Sequence, residues 1–154
     1  MKTIDFNFDN VGGMSRLYLI GREDVGQVAW NHQRGIARIS LRDRSAVYGI
    51  DTDNGDFSFS EKLTEDDAGP RYDVVLSGFI PRLDSVPDIT VLERGEWLAV
   101  HVDGNGCILL SGTKEVPLGF HGEKTVSPRN GIAFELKGQE PSPSVPIDRR
   151  AFYI

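Results

Sequence analysis

The sequence predicts an all-β fold, an antiparallel β-sandwich or barrel with at most one short helix, long loops and an extended C-terminal arm. Three observations predict it. Apolar residues alternate with polar ones over many short stretches, the period of a half-buried strand. Clusters of Gly, Asn, Asp and Pro separate those stretches at turn-like spacing. No segment sustains a helical period, and no repeat or low-complexity tract is present.

The elements follow in order. In "TIDFNF", Ile4, Phe6 and Phe8 share one face, which makes a strand, and "NVGG" makes a turn. "SRLYLIG" is the second strand. A shorter apolar run, Val25 to Trp30, follows the acidic "RED", and "NHQRG" is a loop. "IARISL" and "AVYGI" flank the polar link "RDRS", and "DTDNGD" is dense in turn formers. "FSFSEKL" resumes alternation, with Phe57, Phe59 and Glu61 on one side. Acids, Gly69 and Pro70 in "TEDDAGP" predict an exposed loop. "RYDVVLSGFI" is a strand stopped by Pro81, and a short helix fits Asp88 to Glu93. "EWLAVHV" and "CILLSG" are strands around Asp103-Gly-Asn-Gly106. The first places Trp97, Ala99 and His101 on one face, and Leu98, Val100 and Val102 on the other. "VPLGF" is short, "VSPRNG" is a turn, and "IAFELKG" sets Ile132, Phe134 and Leu136 against Ala133, Glu135 and Lys137. From Gln139 three prolines predict an extended arm. The organisation is therefore one β-domain over residues 1–138 and an arm over 139–154.

A chain of 154 residues suits one domain with a sizeable core. The formal net charge of −6 repels phosphate backbones, so sequence-specific nucleic-acid binding is not expected. The single cysteine, Cys107, rules out an intrachain disulfide and a Cys-based zinc site, and its apolar flank predicts a small buried hydrophobe. No stretch is long and apolar enough to span a membrane. The acidic N-terminus lacks the apolar region of a signal peptide, so secretion is not expected.

Candidate chemistry is sparse. Asp51, Asp53 and Asp56 resemble the start of a calcium loop. Gly55 falls one position early for an EF-hand and Lys62 stands where the bidentate Glu is needed, so a hairpin tip fits better. Asp103-Gly-Asn-Gly106 has one carboxylate, and no Lys or helix follows it, so it too is a hairpin tip. His32, His101 and His121 have no ligand spacing, and His101 is expected at a strand surface or edge. No nucleophile elbow is present. Glu65, Asp66 and Asp67 form a solvated charge run. No catalysis and no cofactor or metal are expected.

The arm ends in Arg149, Arg150, Phe152, Tyr153 and Ile154, charges and apolar anchors that suit docking on a neighbour or folding back on the chain's own sheet. Together with the acidic Glu65, Asp66 and Asp67 they form a candidate assembly interface, and unpaired strand edges add to it.

From Phe57 to Gly138, the order "FSFSEKL", "GPRYDVVLSGFIPRL", "GEWLAVHVDGNGCILLSGTKEVPLGF" and "NGIAFELKG" resembles small β-rich virion proteins of tailed phages and prophages, of the tail-tube or head–tail joining type. The resemblance implies a structural subunit that joins copies of itself into rings and meets other virion proteins. It implies a protein located in the virion and assembled in the host cytoplasm, with DNA passing through the assembly. The alternative is a monomeric β-barrel binding module, for carbohydrate or a similar ligand, with Trp30, Trp97 or Tyr18 as stacking surfaces.

Overall fold

The computed structural model describes residues 14–51, 57–81, 89–126, 130–148 and 150. Several expectations fall outside them: the strand carrying Ile4, Phe6 and Phe8, the turn after it, Asp53 and Asp56, and arm residues Arg149, Phe152, Tyr153 and Ile154. The fold is all-β, as expected. Its strands are β1 (Met14–Gly21), β2 (Val25–Asn31), β3 (Ile36–Leu41), β4 (Tyr48–Asp51), β5 (Ser58–Asp66) and β6 (Gly69–Pro81). After a short helix α1 (Ile89–Arg94) come β7 (Glu96–Asp103), β8 (Ile108–Ser111), β9 (Leu118–Thr125), β10 (Gly131–Glu140) and β11 (Val145–Pro146).

Nine strands form one antiparallel sheet that folds over at β7. One edge of β7 pairs with β1 along its length. The other is shared: Ala99 to Val102 pair with β8, whereas Glu96 and Trp97 pair with β9. β4, β1, β7, β8 and β11 thus make one layer, and β9, β10, β6 and β5 the other. Alternation puts Leu17, Leu19, Trp97 and Ala99 of the first layer against Leu76, Ile132, Phe134 and Leu136 of the second, with Ile89 and Leu92 of α1 packed in. The opposite parity of the first layer is buried too. Ile20, Leu98, Val100 and Leu110 meet Val25, Ala37 and Ile39 of the β2–β3 hairpin, which forms a separate small sheet.

Asp103-Gly-Asn-Gly106, between β7 and β8, is a turn, as its composition predicts. Asp103 Oδ1 accepts from the amides of Asn105 (2.9 Å) and Cys107 (2.8 Å), and Gly106 takes φ +84°. Cys107 is exposed rather than buried, because this turn lifts it off the sheet before the apolar run of β8 begins. The expected loop "TEDDAGP" is a correction as well. β5 and β6 stay in register from Ser58–Ser77 to Asp66–Gly69, leaving only Asp67 and Ala68 as the tip. Three local features tighten it: Gly69 at φ +104°, an Ala68 amide bond to Asp66 Oδ1 (2.9 Å), and an Asp66–Arg71 ion pair (2.7 Å). Pro70 is tolerated because β10 pairs with β6 only from Tyr72 onward, so no ladder bond is lost.

β10 runs through Gln139 and Glu140, two residues past the boundary drawn at Gly138. The arm then lies on the chain's own layers as far as Asp148. Val145 and Pro146 pair with Leu110 and Leu109, Ile147 is buried and bridges Ala37, and the Asp148 amide donates to the Ala37 carbonyl (3.1 Å).

Candidate functional site

The inward face of the sandwich is apolar for most of its length and then changes character. On β10 the series Ile132, Phe134, Leu136 continues at the same parity to Glu140. Phe57, just before β5, and Phe59 on it are followed by Glu61. On β7, Trp97 and Ala99 are followed by His101, beside Ser111 of β8. His101, Ser111 and Glu140 are each at most 2% exposed. Burying such groups is costly unless they find partners.

Most of them do. His101 Nε2 and Ser111 Oγ are hydrogen-bonded at 2.9 Å, and Ser111 Oγ bonds Ser144 Oγ at 2.7 Å. The Ser144 amide donates to Glu61 Oε2 at 2.7 Å, and the Phe59 ring lies 4.4 Å from that of His101. This chain of groups ties β5, β7 and β8 to the arm. Burial holds the His101 imidazole down at about 4, against a weaker upward pull from Asp103. A base that weak takes up a hydroxyl proton poorly at neutral pH, and Ser111 is closed to solvent. The pair therefore works as a structural strut.

Glu140 is the exception. Neither carboxyl oxygen has a hydrogen-bond partner among the described residues. Burial pushes its carboxyl up to about 7, and the charge of Glu61 adds to the rise. Glu140 is among the residues that line a cleft of about 250 Å³, with its carboxyl oxygens closed to solvent behind the wall. Val28 and Trp30 of β2 line one side of it, Thr113 and Lys114 of the β8–β9 loop another, and Ser144 and Val145 of the arm a third. Val28 and Trp30 sit across the hairpin from Ile39 and Ala37, so they point toward the second core. They overhang it and stay 39% and 41% exposed. Lys114 directs its ammonium to the Val25 carbonyl (3.0 Å), which pins the loop to the hairpin. Gly112 at φ +84° starts that loop, which closes on itself through the Val116 amide and Thr113 Oγ1 (2.9 Å). The cleft thus has one apolar side with an exposed indole, polar walls opposite it, and an unsatisfied carboxyl buried behind them, a combination of apolar surface and few polar groups that suits a small-molecule site.

The sequence-predicted site residues fare differently. Trp30 lines the cleft. Trp97 is 4% exposed, packs in the main core and donates its indole N–H to the Leu92 carbonyl (2.7 Å), so it offers no stacking surface. Tyr18 packs against the second core. His101 is buried rather than at a surface or edge, because its side of β7 faces the other layer. Glu65, Asp66 and Asp67 lie at the exposed β5–β6 tip, far along the chain from the cleft lining. Exposed Arg150 lines a separate depression with Arg38 and Arg44. Glu140, Ser111 and Ser144 were not singled out from the sequence. The usable signal was the parity of Glu140 with Ile132, Phe134 and Leu136, hidden by ending the strand at Gly138. Among the described residues no group of His, Cys, Asp and Glu is arranged to hold a metal ion. Comparison with known protein families, curated proteins and solved structures finds no match.

Proposed function

We propose that this protein is a non-catalytic β-sandwich binding module that holds a small organic ligand between the β2–β3 hairpin and the C-terminal arm. The buried, unpartnered Glu140 carboxyl carries the proposal, because a ligand that donates to it would satisfy a group the fold leaves unsatisfied. Trp30 adds a flat apolar surface at the mouth. At about 250 Å³ the cleft suits a ligand of a single ring or a short chain. Ligand-observed NMR with a library of single-ring fragments tests this. Trp30→Ala should abolish the saturable hits while leaving the melting temperature nearly unchanged. Hits that persist in Trp30→Ala would move the site elsewhere.

A second function, a structural subunit that joins copies of itself, draws on the resemblance to tailed-phage proteins and on two complementary surfaces. Among the described residues β5 pairs only with β6, and no described strand covers its other edge. The β5–β6 tip carries Glu65, Asp66 and Asp67, whereas Arg38, Arg44 and Arg150 line one depression, with Asp148 3.7 Å from the Arg38 guanidinium. Such faces suit head-to-tail contact. Mass measurement at micromolar concentration and low salt should then show oligomers that dissociate at high salt. A monomer under both conditions argues against it.

A further inference from the structure

We infer that the ligand of the cleft is a small organic cation, an ammonium or amidinium group on a flat apolar body, with its charge on Glu140 and its body against Trp30. This rests on the cleft being the binding site and names what the cleft selects.

The charges around Glu140 favour a cation. Glu61 of β5 stands near enough to oppose its ionisation, and Glu115 lines the rim. Among the described residues Lys114 supplies the one ammonium of the cleft walls, and that ammonium is bonded to the Val25 carbonyl. His101 of β7 faces the same interior and is held neutral by burial. Tyr72 of β6 is the cross-strand neighbour of Glu140. An anion would enter beside Glu115 and Glu140, with Lys114 the one cation among the described walls to meet it. A neutral polyol would fill acceptors but leave the Glu61–Glu140 repulsion in place. A bare divalent ion needs six or more oxygen ligands, about the requirement of calcium, and among the described residues no acidic group is arranged to supply them. A small organic cation meets each condition. With the Glu140 side chain turned into the cleft, the cation's N–H groups would donate to the carboxyl oxygens, its charge would offset the repulsion, and its flat body would lie on the indole of Trp30.

The inference has a pH signature. Glu140 must be ionised to bind a cation and is about half protonated near pH 7, so binding releases a proton there. Between pH 6 and pH 8 the ionised fraction rises about tenfold, and affinity for a cation should rise with it.

Benzylammonium and benzyl alcohol make the test, because they share a ring and differ in charge. Both are titrated calorimetrically into the wild-type chain at pH 6 and pH 8, and into Glu140→Gln at pH 8. We expect benzylammonium to bind about tenfold more tightly at pH 8 than at pH 6, to outcompete the alcohol, and to lose at least tenfold in Glu140→Gln. Equal binding of the two probes, or a flat pH profile, or full binding by Glu140→Gln would overturn the cation inference while leaving the cleft as a site for neutral ligands. No saturable binding of either probe to the wild-type chain would overturn both.

Discussion

Replacing Glu140 by Gln should stabilise the protein at alkaline pH and change it little at acid pH. The carboxyl is raised from its ordinary 4.5 to about 7 in the folded chain. A raised carboxyl binds its proton more tightly folded than unfolded. Its stabilising contribution is therefore full below the unfolded value near 4.5 and is lost as pH rises through about 7. A gap of about 2.5 units at roughly 1.4 kcal/mol per unit sets a ceiling of about 3.5 kcal/mol above pH 8. At pH 5 less than about 1 kcal/mol of that has been lost. Gln keeps the shape of the side chain and removes its ionisation. Urea denaturation of wild type and Glu140→Gln at pH 5 and pH 8.5 yields the double difference, in which every other titrating group cancels. We expect Glu140→Gln to gain roughly 2–3 kcal/mol relative to wild type between the two pH values. A double difference near zero would show that Glu140 ionises freely, and would remove the basis for treating it as an unsatisfied group.

Three further outcomes follow from the same structure. His101 is held at about 4, so its contribution is present above the unfolded value near 6.5 and is lost as pH falls toward 4. In wild type this slope opposes that of Glu140, so it should emerge clearly in Glu140→Gln, as a rise of up to roughly 3 kcal/mol in urea stability from pH 4 to pH 7. Gly78 of β6 lies under Phe57 and Phe134, and a Cβ there would overlap both rings. Gly78→Ala should thus cost about 1–3 kcal/mol or more in chemical denaturation, and an unchanged midpoint would contradict the core packing. Cys107 is exposed, so a thiol reagent should label the native chain as fast as the urea-unfolded one. Protection in the native state would place it back in the core.

Much of the fold was legible because parity is a simple code. Alternation in "EWLAVHV" correctly separated Trp97 and Ala99 from Leu98 and Val100. It did not reveal that both sets are buried, since the β2–β3 hairpin that covers Leu98 and Val100 comes from a distant part of the chain. The turn at Asp103 was legible because its Asp, Asn and Gly act locally, through bonds to amides within four residues. "TEDDAGP" reads as a loop because charge and Pro signal solvent exposure, yet it is a hairpin end, and a paired strand end is exposed without being a loop. The candidate site was the least legible part. Its members lie on β5, β7, β8, β10 and the arm, and each alone looks ordinary. Only the sheet register shows that Glu61, His101 and Glu140 interrupt the same apolar interior.

Chemical-shift mapping of the isotopically labelled chain with benzylammonium at pH 8 tests the binding site most directly. If the cleft holds the ligand, the Trp30 indole and the amides of Thr113, Glu140, Ser144 and Val145 will shift together with a single dissociation constant, while the β5 edge from Ser58 to Asp66 stays still. Saturable shifts confined to the β5 edge or to the face of Arg38, Arg44 and Arg150, or no saturable shift anywhere, would contradict it.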